Sequence, residues 1–189
     1  MTRERNTGAS LAQAGRVLAW ATLVLLPTLR AAPAQAPGHI DPAFVPILAQ
    51  LKRTHQRVPI LLPAFIARQR QYGPLTPDMG ADRLGYTITL STAKSRQESR
   101  DHPDRVYWVC MVHGQALQTK DTPESGKRVA LADGIPGWFT APRPDLGGRF
   151  ATLGWRYKSG QYSLGLTDAT QAELVAMANS EIQHPVHLR

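Results

Sequence analysis

The fold is decided by residues 151–182, which read ATLGWRYKSGQYSLGLTDATQAELVAMANSEI. In this stretch, residues 151–157 and 161–166 alternate apolar and polar side chains, the pattern of strands with one buried face. Between them lies the short segment Lys158-Ser159-Gly160, in which we expect the glycine to adopt a positive φ. The pattern predicts a β-hairpin.

An amphipathic helix is predicted directly after this hairpin. Thr167 or Asp168 is expected to cap its first turn, and Pro185 to end it. Its apolar side chains recur at helical spacing: Leu174, Val175, Met177, Ala178 and Ile182. A strand hairpin followed by one amphipathic helix is typical of a helix that packs across a sheet.

Further strands are predicted upstream of the hairpin. They are residues 86–90, 107–112 and 137–140, together with 116–119 paired to 128–131 around a polar tip. Residues 107–112 are apolar on both faces, which is typical of a central strand. Residues 71–85, which contain several Gly and Pro, and the charged residues 93–105 are predicted to be loops, the second a solvated hairpin loop.

The segment before these strands predicts a short helix and an extended stretch. Asp41 is expected to cap an N-terminal helix that has Pro42 as its first residue. Pro59 and Pro63 interrupt residues 58–66, so we expect an extended sheet edge or a surface segment there. The predicted organisation is a linker and N-terminal helix over 35–57 and a single domain over 58–189. The fold class is α+β: an antiparallel meander sheet of about five to seven strands, an N-terminal helix, and a C-terminal helix packed across one face.

The first residues resemble an export signal. Arg3, Arg5 and Arg16 precede an apolar run at 17–26, and the segment closes on Ala32-Pro33-Ala34, a small-x-small cleavage pattern. This predicts a signal peptide over residues 1–34 and an extracytoplasmic protein, either periplasmic or secreted. The alternative is an uncleaved N-terminal membrane anchor, for which the apolar run is short of the roughly 20 residues of a spanning helix.

Charge and cysteine content restrict the function classes. The chain has 22 Lys and Arg against 14 Asp and Glu, and removal of residues 1–34 leaves a net charge of +5, because that segment holds four arginines and one glutamate. The basic residues are spread out, so we expect no nucleic-acid binding, although transient contact with an anionic surface remains open beside solubility alone. Cys110 is the single cysteine, so we expect a buried and unreactive thiol.

No catalytic or metal-binding motif is evident. Cys110 and His113 are three residues apart on a strand and therefore point to opposite faces. His184 and His187 flank Pro185, which breaks the helix that would align them. We expect no catalytic residues, no metal and no cofactor.

Three stretches carry a resemblance to a known family. They are WRYKSGQYSL at 155–164, ELVAMANS at 173–180 and the proline-rich VPILLPAFI at 58–66. The chain resembles a small extracytoplasmic domain of unknown function that occurs in exported proteins, lipoproteins and anti-sigma-factor-like proteins. The resemblance implies the fold and the compartment, and it brings no catalytic residues.

These observations predict a non-catalytic binding or sensing module of the cell envelope, with a protein, a lipid or a wall polymer as its partner. The predicted contact is the Pro- and Gly-framed segment 135–149, with Trp138, Phe139, Arg143 and Arg149. In the other interpretation of this segment, the two aromatics are core residues and the arginines face solvent. The alternative function is a secreted hydrolase whose carboxylates come together from separate loops.

Overall fold

A computed structural model describes residues 40–54, 57–101, 108–117, 125–143 and 149–186. Within these ranges, one antiparallel sheet contains β1 (Thr76–Ala81), β2 (Gly85–Ser91), β3 (Cys110–Ala116), β4 (Lys127–Ala130), β5 (Pro136–Thr140), β6 (Phe150–Tyr157) and β7 (Gly160–Thr167). The helices are α1 (Leu48–Arg53), α2 (Gln69–Tyr72), α3 (Ala93–Asp101) and α4 (Gln171–Gln183), with 3-10 turns at Pro42–Ile47 and Ala132–Gly134. The predicted α+β class and the C-terminal helix are confirmed.

The sheet consists of two meanders joined side by side. Its strand order is β1-β2-β3-β7-β6-β5-β4, so β7, the last strand of the chain, pairs with both β3 and β6. After β3 the chain continues at the opposite edge of the sheet with β4, and it returns to the centre through β5 and β6. The centre of the sheet is therefore completed only when the C-terminal hairpin is in place.

The strand registers place one continuous apolar row across the sheet. Met79, Ile88, Val112, Leu164, Leu153 and Phe139 occupy successive paired positions from β1 to β5. Tyr162 lies in the neighbouring row opposite Trp155, and their rings stack with centroids 5.9 Å apart. This face forms the hydrophobic core, because Ile88, Val112, Leu164 and Leu153 of its central strands are buried and Phe139 of β5 packs against them, partly buried.

The N-terminal helical turns and α4 contribute to the same core. Phe44 and Leu51 are fully buried in it, as are Leu174 and Met177 of α4. Asp41 caps the first turn as predicted, with its Oδ1 accepting from the Ala43 N–H at 2.9 Å. The described residues contain no helix long and apolar enough to cross a membrane.

Residues 58–67 form neither a regular helix nor a strand of the sheet, and they belong to the core rather than to the surface segment or sheet edge predicted for 58–66. Tyr86 and Tyr162 reach this segment from the sheet with hydrogen bonds to the backbone of Leu61 and Pro59. From the other side, the Ala67 N–H lies 3.4 Å from the Met177 sulfur of α4. The two prolines prevent a regular helix or strand, yet side chains of neighbouring elements satisfy the backbone groups that a ladder would otherwise pair.

Two stretches predicted as loops contain regular structure. Residues 71–85 include β1, an edge strand paired only with β2, where Pro77 and Gly80 are tolerated because one side of the strand needs no partner. Residues 93–105 include α3, which lacks an apolar stripe and therefore gives no helical signal in its hydrophobic pattern.

Two strand predictions require correction. The strand predicted at 107–112 is β3 at Cys110–Ala116, three residues further along. Among the described residues, the predicted pairing of 116–119 with 128–131 is not found, because Ala116 pairs with β7 and β4 pairs with β5 at the far edge of the sheet. The prediction assumed that consecutive strands are neighbours, which fails where the two meanders are linked.

Two local details of the C-terminal region also differ from prediction. The cap of α4 is Thr170, which forms a reciprocal capping box with Glu173, and not Thr167 or Asp168. In the hairpin turn, Lys158 has the positive φ of 52°, whereas Gly160 does not. Gly160 is required for another reason, since a Cβ there would lie 2.8 Å from the Tyr162 ring.

Candidate functional site

The sheet has a second face that is polar. Thr87, His113 and Ser163 follow one another in register on it, and Thr87 Oγ1 is hydrogen-bonded to His113 Nδ1 at 2.8 Å. Cys110 lies on the opposite, buried face, so the prediction that Cys110 and His113 point apart is confirmed. Helix α3 lies beside the β1–β2 corner of this polar face, where Arg96 donates to Thr76 Oγ1 at 2.9 Å.

A cavity of about 400 Å³ lies between α3 and this corner of the sheet. Its volume is within the range of small-molecule sites. Its lining is mostly polar: Thr76, Asp78, Thr89, Ser91, Ser95, Arg96 and Arg100, with Pro77 and Trp108. The cavity thus combines two cations, one carboxylate, several hydroxyls and an indole ring.

The start of α3 is fixed by reciprocal hydrogen bonds. The Thr92 N–H donates to Ser95 Oγ at 2.8 Å, and the Ser95 N–H donates to Thr92 Oγ1 at 3.0 Å. Together they satisfy backbone donors that the first turn would otherwise leave unpaired. The helix therefore has a defined orientation although it has no apolar stripe.

This orientation places two arginines on the cavity side of α3. Arg96 and Arg100 are four residues apart and so occupy one face of the helix. The acidic residues of the helix interact elsewhere: Glu98 with Lys94 at 3.7 Å, and Asp101 with Gln97 at 3.1 Å. Among the described residues, neither arginine has an ion-pair partner.

Trp108 also lines the cavity. Its side chain is exposed, with 41% of the residue accessible to solvent. Its backbone is nevertheless held, because its carbonyl oxygen accepts from Thr167 Oγ1 at 2.9 Å and the next residue, Val109, donates to the Leu90 carbonyl at 2.8 Å. An exposed tryptophan on a fixed backbone is a ready stacking surface for a flat or ring-shaped ligand.

Among the described residues, Asp78 is the one carboxylate that lines the cavity. It projects from the edge strand β1, and its Oδ1 accepts from the Met79 N–H at 2.9 Å. The second oxygen is available as an acceptor for a ligand hydroxyl. The arrangement suits the binding of an anionic group that also carries hydroxyls.

The chain matches no family model, no curated protein and no solved structure. The cavity must therefore be interpreted from its own chemistry.

The residues predicted as a partner contact do not form one cluster. Trp138 lies on the polar face of β5, half-buried, whereas Phe139 points to the core side. Arg149 is exposed and ion-paired with Asp168, its Nε lying 2.9 Å from Asp168 Oδ1. Arg143 is exposed, and residues 144–148 of the predicted segment lie outside the described residues. Contact between this segment and a partner stays a prediction.

The sequence does not indicate the cavity residues as a site. It predicts a loop for Arg96 and Arg100 and a central strand for Trp108. The one sequence signal for them is the four-residue spacing of the two arginines, which becomes informative only when residues 93–101 are known to be helical.

The described residues give no support for a metal site. The described residues contain no group of three or more His, Cys, Asp or Glu side chains that could hold a metal ion. Burial raises the pKa of the Cys110 thiol far above its usual range, with the nearby Glu181 as a second cause. A thiol in this environment is a poor nucleophile and a poor metal ligand.

Proposed function

We propose that this protein is a non-catalytic binding or sensing module of the cell envelope that holds a polar segment of a wall polymer in the cavity beside α3. The observation that carries the proposal is the pair Arg96 and Arg100, without an acidic partner among the described residues, facing a cavity walled by the exposed Trp108. Guanidinium groups left without a carboxylate partner favour an external anion.

The compartment is supported by the sequence. The basic residues, the apolar run and the small-x-small pattern of residues 1–34 favour export, and the resemblance to a small extracytoplasmic domain favours the same location. Outside the cytoplasm, wall polymers are accessible to the protein, whereas nucleic acids and cytoplasmic metabolites lie in another compartment.

The hydrolase alternative has less support from the site. Hydrolysis of a glycosidic bond usually requires two carboxyl groups across the bond. Asp78 is the single carboxylate among the residues that line the cavity. The described lining therefore does not supply the second carboxyl group.

Cosedimentation with isolated cell-wall material tests the proposal. The full-length chain is expected to sediment with the wall fraction of its own cells, and Trp108→Ala is expected to reduce the bound fraction severalfold because it removes the stacking surface. Trp138→Ala is the matched control, since Trp138 is a half-buried tryptophan on the same face of the sheet but outside the cavity.

Three outcomes would contradict the proposal. Absence of the wild-type chain from the pellet would remove wall binding, and sedimentation with anionic lipid vesicles instead would make the partner a membrane. Loss of binding in Trp138→Ala but not in Trp108→Ala would move the contact to the segment 135–149.

A further inference from the structure

The charges among the described residues that line the cavity favour an anion with a single negative charge. Arg96 and Arg100 supply two positive charges and Asp78 one negative charge, so this described lining has an excess of one positive charge. This excess suits a ligand with a single negative charge. A phosphate monoester carries nearly two charges at neutral pH and would be repelled by Asp78.

The geometry of the arginines suits a carboxylate. A guanidinium group presents its donors in a planar fork that matches the oxygens of a carboxylate or a phosphate, and the single excess charge favours the carboxylate over a phosphate monoester. Arg96 is already held by Thr76 at 2.9 Å, which leaves its remaining donors in a fixed position. Arg100 lies one helical turn further along and can approach the same anion from a second direction.

The rest of the lining favours a hydroxylated ring. Trp108 can stack on the apolar face of a pyranose, while Thr89, Ser91 and Asp78 present hydroxyl and carboxylate groups to its edge. A fatty acid would satisfy the arginines but leave these polar groups without partners, which is unfavourable in a partly enclosed site.

We infer that the cavity recognises an acidic saccharide, a pyranose ring that carries one carboxylate held by Arg96 and Arg100 and stacked on Trp108. This inference rests on the proposed function and names the chemical class of its ligand. No covalent step is involved.

Calorimetric titration of the full-length chain with two matched disaccharides tests the inference. The first is the disaccharide of N-acetylglucosamine and N-acetylmuramic acid, and the second is chitobiose, which lacks the lactyl carboxylate but is otherwise closely similar. We expect the acidic disaccharide to bind about tenfold more tightly at low salt, since a carboxylate gains charge-assisted hydrogen bonds that chitobiose cannot form. The preference should shrink at high ionic strength, because the arginines are exposed.

Two variants separate the contributions of charge and ring. Arg100→Gln is expected to abolish the preference for the acidic disaccharide while leaving the Thr76–Arg96 hydrogen bond in place. Trp108→Ala is expected to weaken both disaccharides by a similar factor. Arg128→Gln is the matched control, since Arg128 is an exposed arginine of β4 at the opposite edge of the sheet. Circular dichroism of each variant confirms that it is folded.

The outcomes distinguish this inference from the proposed function. Equal affinity for both disaccharides, or competition by inorganic phosphate as strong as by the acidic disaccharide, would overturn the acidic saccharide while Trp108-dependent wall binding stands. Absence of binding to either disaccharide, with wall cosedimentation retained, would overturn it in the same way. Loss of both disaccharide and wall binding would overturn the inference together with the proposed function.

Discussion

Glu181 is the most unusual single residue of the core. It lies on the buried side of α4, fully enclosed, and neither carboxyl oxygen has a hydrogen-bond partner within the described part of the chain. Burial raises its pKa well above the usual range for a carboxylic acid. Its surroundings include Tyr86 and Cys110, whose own pKa values are raised first by burial and further by Glu181, and Tyr162, whose pKa is raised by burial, then by Tyr157 and then by Glu181.

The raised pKa of Glu181 makes stability depend on pH. Above the pKa of an exposed glutamate, about 4.3, the unfolded chain releases this proton while the folded chain retains it. The Glu181 carboxyl group therefore contributes most favourably to the stability of the fold below that pH. This contribution is lost as the pH rises towards the pKa of Glu181 in the folded protein.

We expect Glu181→Gln to flatten this dependence. Over the window in which only the folded state is protonated, the free energy of unfolding should fall by up to about 1.4 kcal/mol per pH unit more in the wild type than in the variant. Urea unfolding at several pH values between 4.5 and 8 measures this change in the free energy of unfolding with pH. Glu98→Gln, which removes a surface glutamate paired with Lys94, is the control and should leave the slope unchanged. Parallel curves for wild type and Glu181→Gln would refute this account of Glu181.

The glycines of β1 and β2 provide a second prediction at this scale. A Cβ at Gly85 would lie 2.2 Å from the Gly114 carbonyl oxygen in the paired strand β3, and backbone cannot move aside as a side chain can. Gly85→Ala is therefore expected to destabilise the fold by about 3 kcal/mol. At Gly80 a Cβ meets nothing within 4 Å, so Gly80→Ala should change stability little. Thermal denaturation compares the two, and equal melting temperatures would show that the β2–β3 contact is not as close as described.

At the scale of elements, the proline-containing segment 58–67 depends on tyrosines of the sheet. The Tyr86 hydroxyl accepts from the Leu61 N–H at 2.9 Å and donates to the Leu61 carbonyl at 3.0 Å. It thereby satisfies both backbone groups of a fully buried residue. Tyr162 supports the same segment through the Pro59 carbonyl at 3.0 Å.

We expect Tyr86→Phe to cost about 1–3 kcal/mol of stability, because it leaves a buried donor and a buried acceptor unpaired. Hydrogen exchange should also speed up at the Leu61 amide. Tyr157→Phe is the matched control, since Tyr157 is a half-buried tyrosine of β6 whose ring interacts with Lys158 and Tyr162, and no hydrogen bond from its hydroxyl to segment 58–67 is found among the described residues. A Tyr86→Phe variant as stable as Tyr157→Phe would contradict the role given to this hydroxyl.

The sequence predicts the elements whose signals are local. The hairpin of β6 and β7 and the apolar side of α4 follow from alternation and helical spacing within residues 151–182. The edge strand β1 and the polar helix α3 are not predicted by these patterns. Neither buries an apolar face that would impose a period on the hydrophobic residues of the sequence. The strand that pairs with β4 is not predicted either, since pairing across the sheet depends on contacts between residues that are distant in sequence.

The candidate site is harder to predict for the same reason. Trp108 lies near the start of an apolar run that suggests a buried strand, yet β3 begins two residues later and leaves its indole at the surface. In the sequence, Arg96 and Arg100 resemble any other charged residues, and only the helical structure of α3 places them beside β1. The site is made by an edge strand and a polar helix, which are the two elements with the weakest sequence signals.

At the scale of the whole molecule, the two faces of the sheet have different roles, one in stability and the other in the candidate function. One face carries the apolar rows, the segment 58–67 and α4, and therefore holds the stability of the fold. The other face is polar, and the cavity lies at its β1–β2 corner beside α3. Because α3 and Trp108 are outside the core, substitutions at Arg100 and Trp108 are expected to change binding without unfolding the protein.

The most direct test of this account is a ¹H–¹⁵N NMR titration of the full-length 20.8 kDa chain with the acidic disaccharide. We predict shifts confined to α3, the start of β1, the end of β2 and the Trp108 indole, with the Arg100 side-chain Nε among them. The Trp138 indole, on the same face but outside the cavity, should stay unchanged. Shifts centred on Trp138 and Arg143, or none at all, would contradict the claim that the cavity beside α3 is the binding site.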